Sequence, residues 1–129
     1  MKQRGVIHIV DPDEALARAL TAILGFYKIG VRHYANGDAY LNAQASLEDS
    51  PDCLLVDADQ PRPDGIALLR ELREQGRQFP IVVISGAKSD SFRHRAKQLG
   101  ALEVLDKPLF TGILLRRLSE LFPNESLGL

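Results

Sequence analysis

Sulfur is scarce in this chain of 129 residues, which holds a single cysteine, Cys53. One cysteine rules out an internal disulfide and the stapled scaffolds of small secreted proteins, so a reducing cytoplasm is the expected setting. Long apolar runs are missing as well. The N-terminal stretch MKQRGVIHIVDPD places basic residues before an apolar run only five residues long. That is too short for a signal peptide or a membrane span. Excess charge of one sign is also lacking: the formal net charge is −1, which leaves no electrostatic footprint for nucleic acid. No internal repeat, low-complexity tract or linker composition is visible. What remains is an ordinary globular composition, 45% hydrophobic and 26% charged. The length suits one domain with its own core. We read 1–129 as that domain, with the core over about 5–122 and PNESLGL (123–129) as a polar tail or the start of a linker.

Strand-length apolar runs alternate with stretches of helical period. VIHIV (6–10) precedes a pattern that puts Leu16, Leu20, Ile23, Leu24 and Tyr27 on one helix face, stopped by Gly30. VRHYA (31–35) precedes a helix that Asn36 is placed to cap, with Tyr40, Ala43 and Leu47 inward. CLLV (53–56) leads through a proline-bearing loop to Leu68, Leu69 and Leu72, ended by Gly76. IVVIS (81–85) leads to Phe92, Ala96 and Leu99, closed by Gly100. LEVL (102–105) leads to Leu114, Leu118, Leu121 and Phe122, ended before Pro123. Strict alternation of strand and helix implies an α/β fold with a parallel sheet covered on both faces. VIHIV, CLLV and IVVI are nearly continuous apolar runs, as central strands require, whereas VRHYA and LEVL carry polar residues at alternate positions, as edges allow. The common five-stranded order that satisfies this is 2-1-3-4-5, the flavodoxin-like doubly wound (βα)5 arrangement, whose ligand site lies at the carboxyl ends of the central strands.

Those ends carry a consistent chemistry. The first strand stops at Asp11, followed by Pro12 and Asp13; the third stops at Asp57; the fourth stops at Ser85, followed by Gly86 and Ala87; Asp106, Lys107 and Pro108 follow the fifth. Crowded carboxylates raise one another's pKa unless a cation intervenes, and oxygen-only ligands with room for water suit Mg²⁺. A metal beside a lysine and a hydroxyl is equipment for phosphoryl transfer, with the lysine neutralising phosphoryl oxygens and the hydroxyl donating to one. An aspartate is itself a competent nucleophile, ionised at neutral pH and needing no base.

VIHIVDPD, LLVDADQPRPDG, IVVISG, the GA at 100–101 and LDKP, in this order and at these spacings, resemble the receiver domain of two-component response regulators over about residues 5–122. The resemblance implies a phosphoacceptor at Asp57, charged from a sensor histidine kinase or a phosphotransfer protein with Mg²⁺. It implies that Ser85 is the hydroxyl that moves toward the phosphoryl group and Lys107 its counter-ion. The metal set it implies is Asp11, Asp57 and Asp59, the last through its backbone carbonyl, which the loop prolines help to present. Such a domain catalyses its own phosphorylation and dephosphorylation without being a conventional turnover enzyme. Homodimerisation or target binding through the fourth helix, fifth strand and fifth helix is implied too, along with the cis Lys107–Pro108 bond usual in the family. No direct contact with nucleic acid or membrane is expected.

Two positions depart from the family pattern. Pro12 replaces the second of two adjacent acids, the one that normally touches the metal directly, so weakened Mg²⁺ binding is expected. Val104 replaces the ring that swings inward when the hydroxyl moves. These departures support a second reading, a pseudo-receiver that acts as a phosphorylation-independent interaction module. Two weaker rivals are a haloacid-dehalogenase-type phosphatase, whose D-x-D motif DAD echoes, and a flavodoxin-like flavin carrier. Plainer roles stand beside each site residue: strand-end acid for Asp57, helix N-cap for Asp11, turn residue for Ser85, surface lysine for Lys107. Asp13, Glu14 and the Arg93, Arg95, Lys97 face read as solvated surface. The side chain of Asp59 reads the same way. His8, His33 and His94 read as packing or surface residues, and Cys53 as a small core hydrophobe.

Overall fold

The computed structural model describes residues 5–44, 50–60, 64–86, 89–107 and 111–121. Five strand–helix units follow one another: β1 (Gly5–Val10), α1 (Glu14–Phe26), β2 (Ile29–Tyr34), α2 (Gly37–Gln44), β3 (Cys53–Asp57), α3 (Gly65–Glu74), β4 (Ile81–Ser85), α4 (Asp90–Gln98), β5 (Ala101–Asp106) and α5 (Thr111–Leu121). The strands form one parallel sheet in the order β2-β1-β3-β4-β5. This is the expected flavodoxin-like topology, and β1, β3 and β4, the uninterrupted apolar runs, lie inside it. Expectations placed on Leu47, Pro61, Pro63, Ala87, Pro108, the Leu121 side chain, Phe122, Pro123 and the 123–129 tail lie outside the described residues.

The middle of the sheet is buried on both faces because its central strands β1, β3 and β4 are apolar at nearly every position, not only at alternate ones. Leu54 and Val56 of β3, with Ile81 and Val83 of β4, pack against Tyr40 of α2, Leu68, Leu69 and Leu72 of α3 and Ala96 of α4. Cys53 and Leu55, with Val82 and Ile84, pack on the other face against Leu20 and Leu24 of α1 and Leu114, Leu115 and Leu118 of α5. Cys53 is thus a core residue, and burial pushes its thiol up to about 12. His8, on β1, is buried between the rings of Tyr34 and Tyr40, and its Nδ1 lies 2.9 Å from the Tyr40 hydroxyl.

Helix starts follow local chemistry. Asn36 accepts from the Ala39 N–H at 2.8 Å, as its position before α2 implied. Asp64 and Ser89 cap α3 and α4 in the same manner. One stop differs from expectation. Gly30 does not end α1: the helix closes at Phe26, Lys28 takes the left-handed conformation (φ 65°), and Gly30 already lies in β2. Any residue can bear that single left-handed turn at a cost of about 1 kcal/mol. Gly100, in contrast, has φ +91°, and a Cβ there would meet the Arg73 guanidinium at 2.8 Å. That guanidinium donates to the Leu99, Gly100 and Arg77 carbonyls and so closes the C-terminal end of α4 from the neighbouring helix.

Candidate functional site

The parallel order brings the ends of β1, β3, β4 and β5 to one rim. Asp57 ends β3 with only 4% of its surface exposed. Its Oδ1 accepts from the Asp59 N–H at 3.0 Å and from Lys107 Nζ at 3.0 Å. Among the described residues, Oδ2 accepts nothing. Gly65 fixes how the chain leaves β3, since a Cβ on it would lie 2.6 Å from Ala58 Cα. Only glycine lets α3 begin this close to the strand end.

Lys107 follows β5, and its backbone N–H donates to the Ser85 carbonyl at 2.7 Å. Its Nζ also lies 3.4 Å from Asp59 Oδ2. Burial alone would lower this ammonium, but the hydrogen bond and charge of Asp57, with Asp59 adding, outweigh it and hold the pKa above the ordinary lysine value. Ser85 ends β4, fully buried, and among the described residues its Oγ has no hydrogen-bond partner. Asp59 Oδ2 accepts from the Gly86 N–H at 3.0 Å.

Asp11, 3% exposed, sits at the end of β1. Its carboxyl is pushed above the usual carboxylate range, first by burial and further by the charge of Asp57; the Asp13 N–H and the Lys107 ammonium oppose the rise. It is not the α1 cap: that position belongs to Asp13, which accepts from the Leu16 N–H, while Asp11 Oδ1 accepts from the Asp13 N–H at 2.8 Å. Pro12 occupies one residue of the turn between them, and a cap needs an extended residue directly before the first helical one.

The rim therefore joins Asp57, Asp59 and Lys107 by direct contact and Asp11 by charge, with Ser85 tied to the Lys107 backbone. Two expectations need correction. Asp106 does not join the acids; it pairs with Arg93 of α4. Arg93 in turn is no solvated surface residue, because its guanidinium also donates to the Val104 carbonyl at 3.1 Å. Among the described residues no three His, Cys, Asp or Glu side chains gather to hold a metal. The donor chemistry suits a hard cation nonetheless: two buried carboxylates, Asp11 and Asp57, press on each other electrostatically, and Mg²⁺ keeps waters in the rest of its shell.

Sequence reading missed two residues that shape the rim. Gln60 Nε2 donates to the Asp57 carbonyl at 2.9 Å, holding the loop under the acid. His33 Nε2 lies 2.7 Å from the Asp11 carbonyl. Gln60 is near enough in sequence to Asp57 for a return contact to be sought; His33 carried no signal. A groove of about 640 Å³ runs alongside, lined by Asp59, Gln60, Arg70, Phe92 and Arg95. It touches the rim only at its acidic edge and is not lined by Asp57 or Lys107.

Comparison with known proteins identifies the family. The family described as "Response regulator receiver domain" matches residues 7–119. The response regulator protein TmoT of Ectopseudomonas mendocina is 33% identical over 106 residues, covering 82% of this chain and 47% of that protein. The response regulator MprA of Mycobacterium avium is 36% identical over 115 residues, covering 89% of this chain and 50% of that protein. This chain thus spans about half the length of the curated relatives it matches. The receiver domain of the Francisella response regulator 1452 shares the fold at TM-score 0.82 and 22% identity, over 94% of this chain and 98% of that one.

Proposed function

This chain belongs to the response regulator receiver family, and from that premise we propose that it is a phosphorylation switch whose acceptor is Asp57. The observation that carries the reading is the 3.0 Å pair between Lys107 Nζ and the buried Asp57 carboxylate at the end of β3. That pair holds Oδ1 and leaves Oδ2 as the nucleophile. Oδ2 attacks the phosphorus of a phosphohistidine on a sensor kinase or phosphotransfer protein. The O–P bond forms, the P–N bond breaks, and its electron pair stays on the donor imidazole. Lys107 neutralises one phosphoryl oxygen and Ser85 Oγ donates to another. Asp11, Asp57 and the backbone carbonyl of Asp59 would hold Mg²⁺, which when bound offsets the remaining phosphoryl charge. Without a second acid at Pro12 the affinity for Mg²⁺ is expected to be modest. Water later attacks the same phosphorus and releases inorganic phosphate, which returns Asp57 to its starting form; this is self-resetting, not turnover of a separate substrate.

On this reading the cycle runs in the cytoplasm, where a phosphohistidine donor and Mg²⁺ are both available. Among the described residues no helix is long and apolar enough to cross a membrane. Self-association or target docking is assigned to the α4–β5–α5 face, a reading that exposed Leu102 of β5 and Ile113 of α5 support. A phosphate-independent module is not favoured, because a buried acid kept in contact with a lysine is what acceptor chemistry needs.

The test is treatment with acetyl phosphate in saturating Mg²⁺, followed by intact-mass measurement. The native chain should gain one phosphoryl group, Asp57→Asn should gain none, and omission of Mg²⁺ should suppress the gain. An unmodified native chain, or equal labelling of Asp57→Asn, refutes the assignment.

A further inference from the structure

The phosphoacceptor reading leaves the Asp59 side chain without a task, yet this exposed acid is held by two donors. Its Oδ2 accepts the Gly86 N–H at 3.0 Å and lies 3.4 Å from the Lys107 ammonium. A backbone N–H and a lysine ammonium converging on one oxygen are what an incoming phosphoryl oxygen would need. The residue before Gly86 supplies a third donor, Ser85 Oγ, which is buried and has no partner among the described residues. Lys107 is divided between the two acids, 3.0 Å from Asp57 Oδ1 and 3.4 Å from Asp59 Oδ2. A donor set with two members engaged by a carboxylate and the third unpaired is an anion seat already occupied by an internal anion.

We infer that Asp59 is an internal competitor for the phosphoryl group: its carboxylate fills the seat made by the Gly86 N–H and the Lys107 ammonium, and it must leave that seat when Asp57 is phosphorylated. The inference rests on the acceptor reading above and deepens it. Asp59 is a positioning residue; it touches the donors, not the phosphorus. Vacating the seat adds a step to phosphoryl uptake, since two charge-assisted contacts must be exchanged for those of the new group. The same contacts tie the β3–α3 loop to the β4–α4 loop while Asp57 is bare, so the exchange marks the unphosphorylated form. Released from Gly86, Asp59 carries its charge away from the dianionic phosphoryl group, which avoids setting two anions side by side.

Two readouts test this with the intact chain, Asp59→Ala and Asp59→Asn, each checked for native fold by circular dichroism. In acetyl phosphate and saturating Mg²⁺, Asp59→Ala should label about tenfold faster than native, the scale expected when a charged hydrogen bond no longer has to be displaced. Asp59→Asn keeps an acceptor for Gly86 but no charge for Lys107, and should fall between the two. The second readout needs no phosphorylation: inorganic phosphate is titrated into the Mg²⁺-free protein while the Gly86 amide is followed by NMR. The half-point should move to about tenfold lower phosphate in Asp59→Ala. Equal half-points, or slower labelling of both variants at saturating Mg²⁺, overturn the inference. If no protein is labelled, the acceptor reading fails, and the phosphate titration decides by itself whether Asp59 fills the seat.

Discussion

Replacing His8 with phenylalanine should flatten the acid limb of this protein's stability curve. His8 is 1% exposed. Its pKa is lowered to about 4, first by burial and then by the positive charge of Arg32, which is its register partner on β2. The unfolded chain titrates this imidazole near the ordinary histidine value of 6.5. A base with a depressed folded pKa contributes its full stability above the unfolded value. That stability is lost as pH falls from 6.5 toward 4, because the unfolded state takes up the proton first. With about 1.36 kcal/mol for each pH unit between the two values, the whole effect approaches roughly 3 kcal/mol, of which about 2 kcal/mol appears between pH 7 and pH 5. Urea unfolding followed by circular dichroism at those two pH values reads the difference directly. Phenylalanine keeps a ring against Tyr34 and Tyr40 but has no proton to gain. It should shift stability by a constant amount and remove most of the pH 7 to pH 5 fall. Asp11, whose carboxyl is pushed the other way, is present in both proteins, so its contribution cancels in the comparison. An equal fall in native protein and His8→Phe would refute the reasoning.

Asp11→Asn should raise stability at pH 7 by about 1 kcal/mol, because the amide still accepts the Asp13 N–H while a buried charge facing Asp57 is removed. A carboxyl with a raised folded pKa lowers stability when ionised, so the gain should fade as pH falls through that pKa toward the unfolded value of 3.8. Mg²⁺ should stabilise the native chain in thermal melts and stabilise Asp11→Asn less; equal Mg²⁺ shifts would remove Asp11 from the donor set. Arg93→Ala should cost roughly 1 kcal/mol, since it strips the Val104 carbonyl and Asp106 of a shared donor. Hydrogen exchange should quicken in α4 and β5 and stay unchanged in α1; uniform quickening would argue against a local clamp.

The fold was legible because its signals are local. VIHIV, CLLV and IVVI are apolar at nearly every position, which only a strand covered on both faces tolerates, and each is followed by a helical repeat. The rim was legible for the same reason: in a parallel sheet all strand ends of one kind lie together, so acids at those ends come to one side of the sheet. Gly30 misled because glycine punctuates without saying where; Lys28 took the left-handed turn instead. Asp106 misled because a strand-end acid at an edge has two choices, and a helix supplied Arg93.

By itself the sequence determined the order of elements, which strands are central, and that Asp57, Ser85 and Lys107 share one rim. Periodicity and strand direction are short-range properties, so composition over a few residues decides them. Only the tertiary structure decided the pairings: Asp59 with Gly86 and Lys107, His33 with the Asp11 carbonyl, Arg93 with Val104 and Asp106. Each joins residues from different loops or elements, where several partners of the right chemistry compete and sub-ångström placement by the packed core selects one.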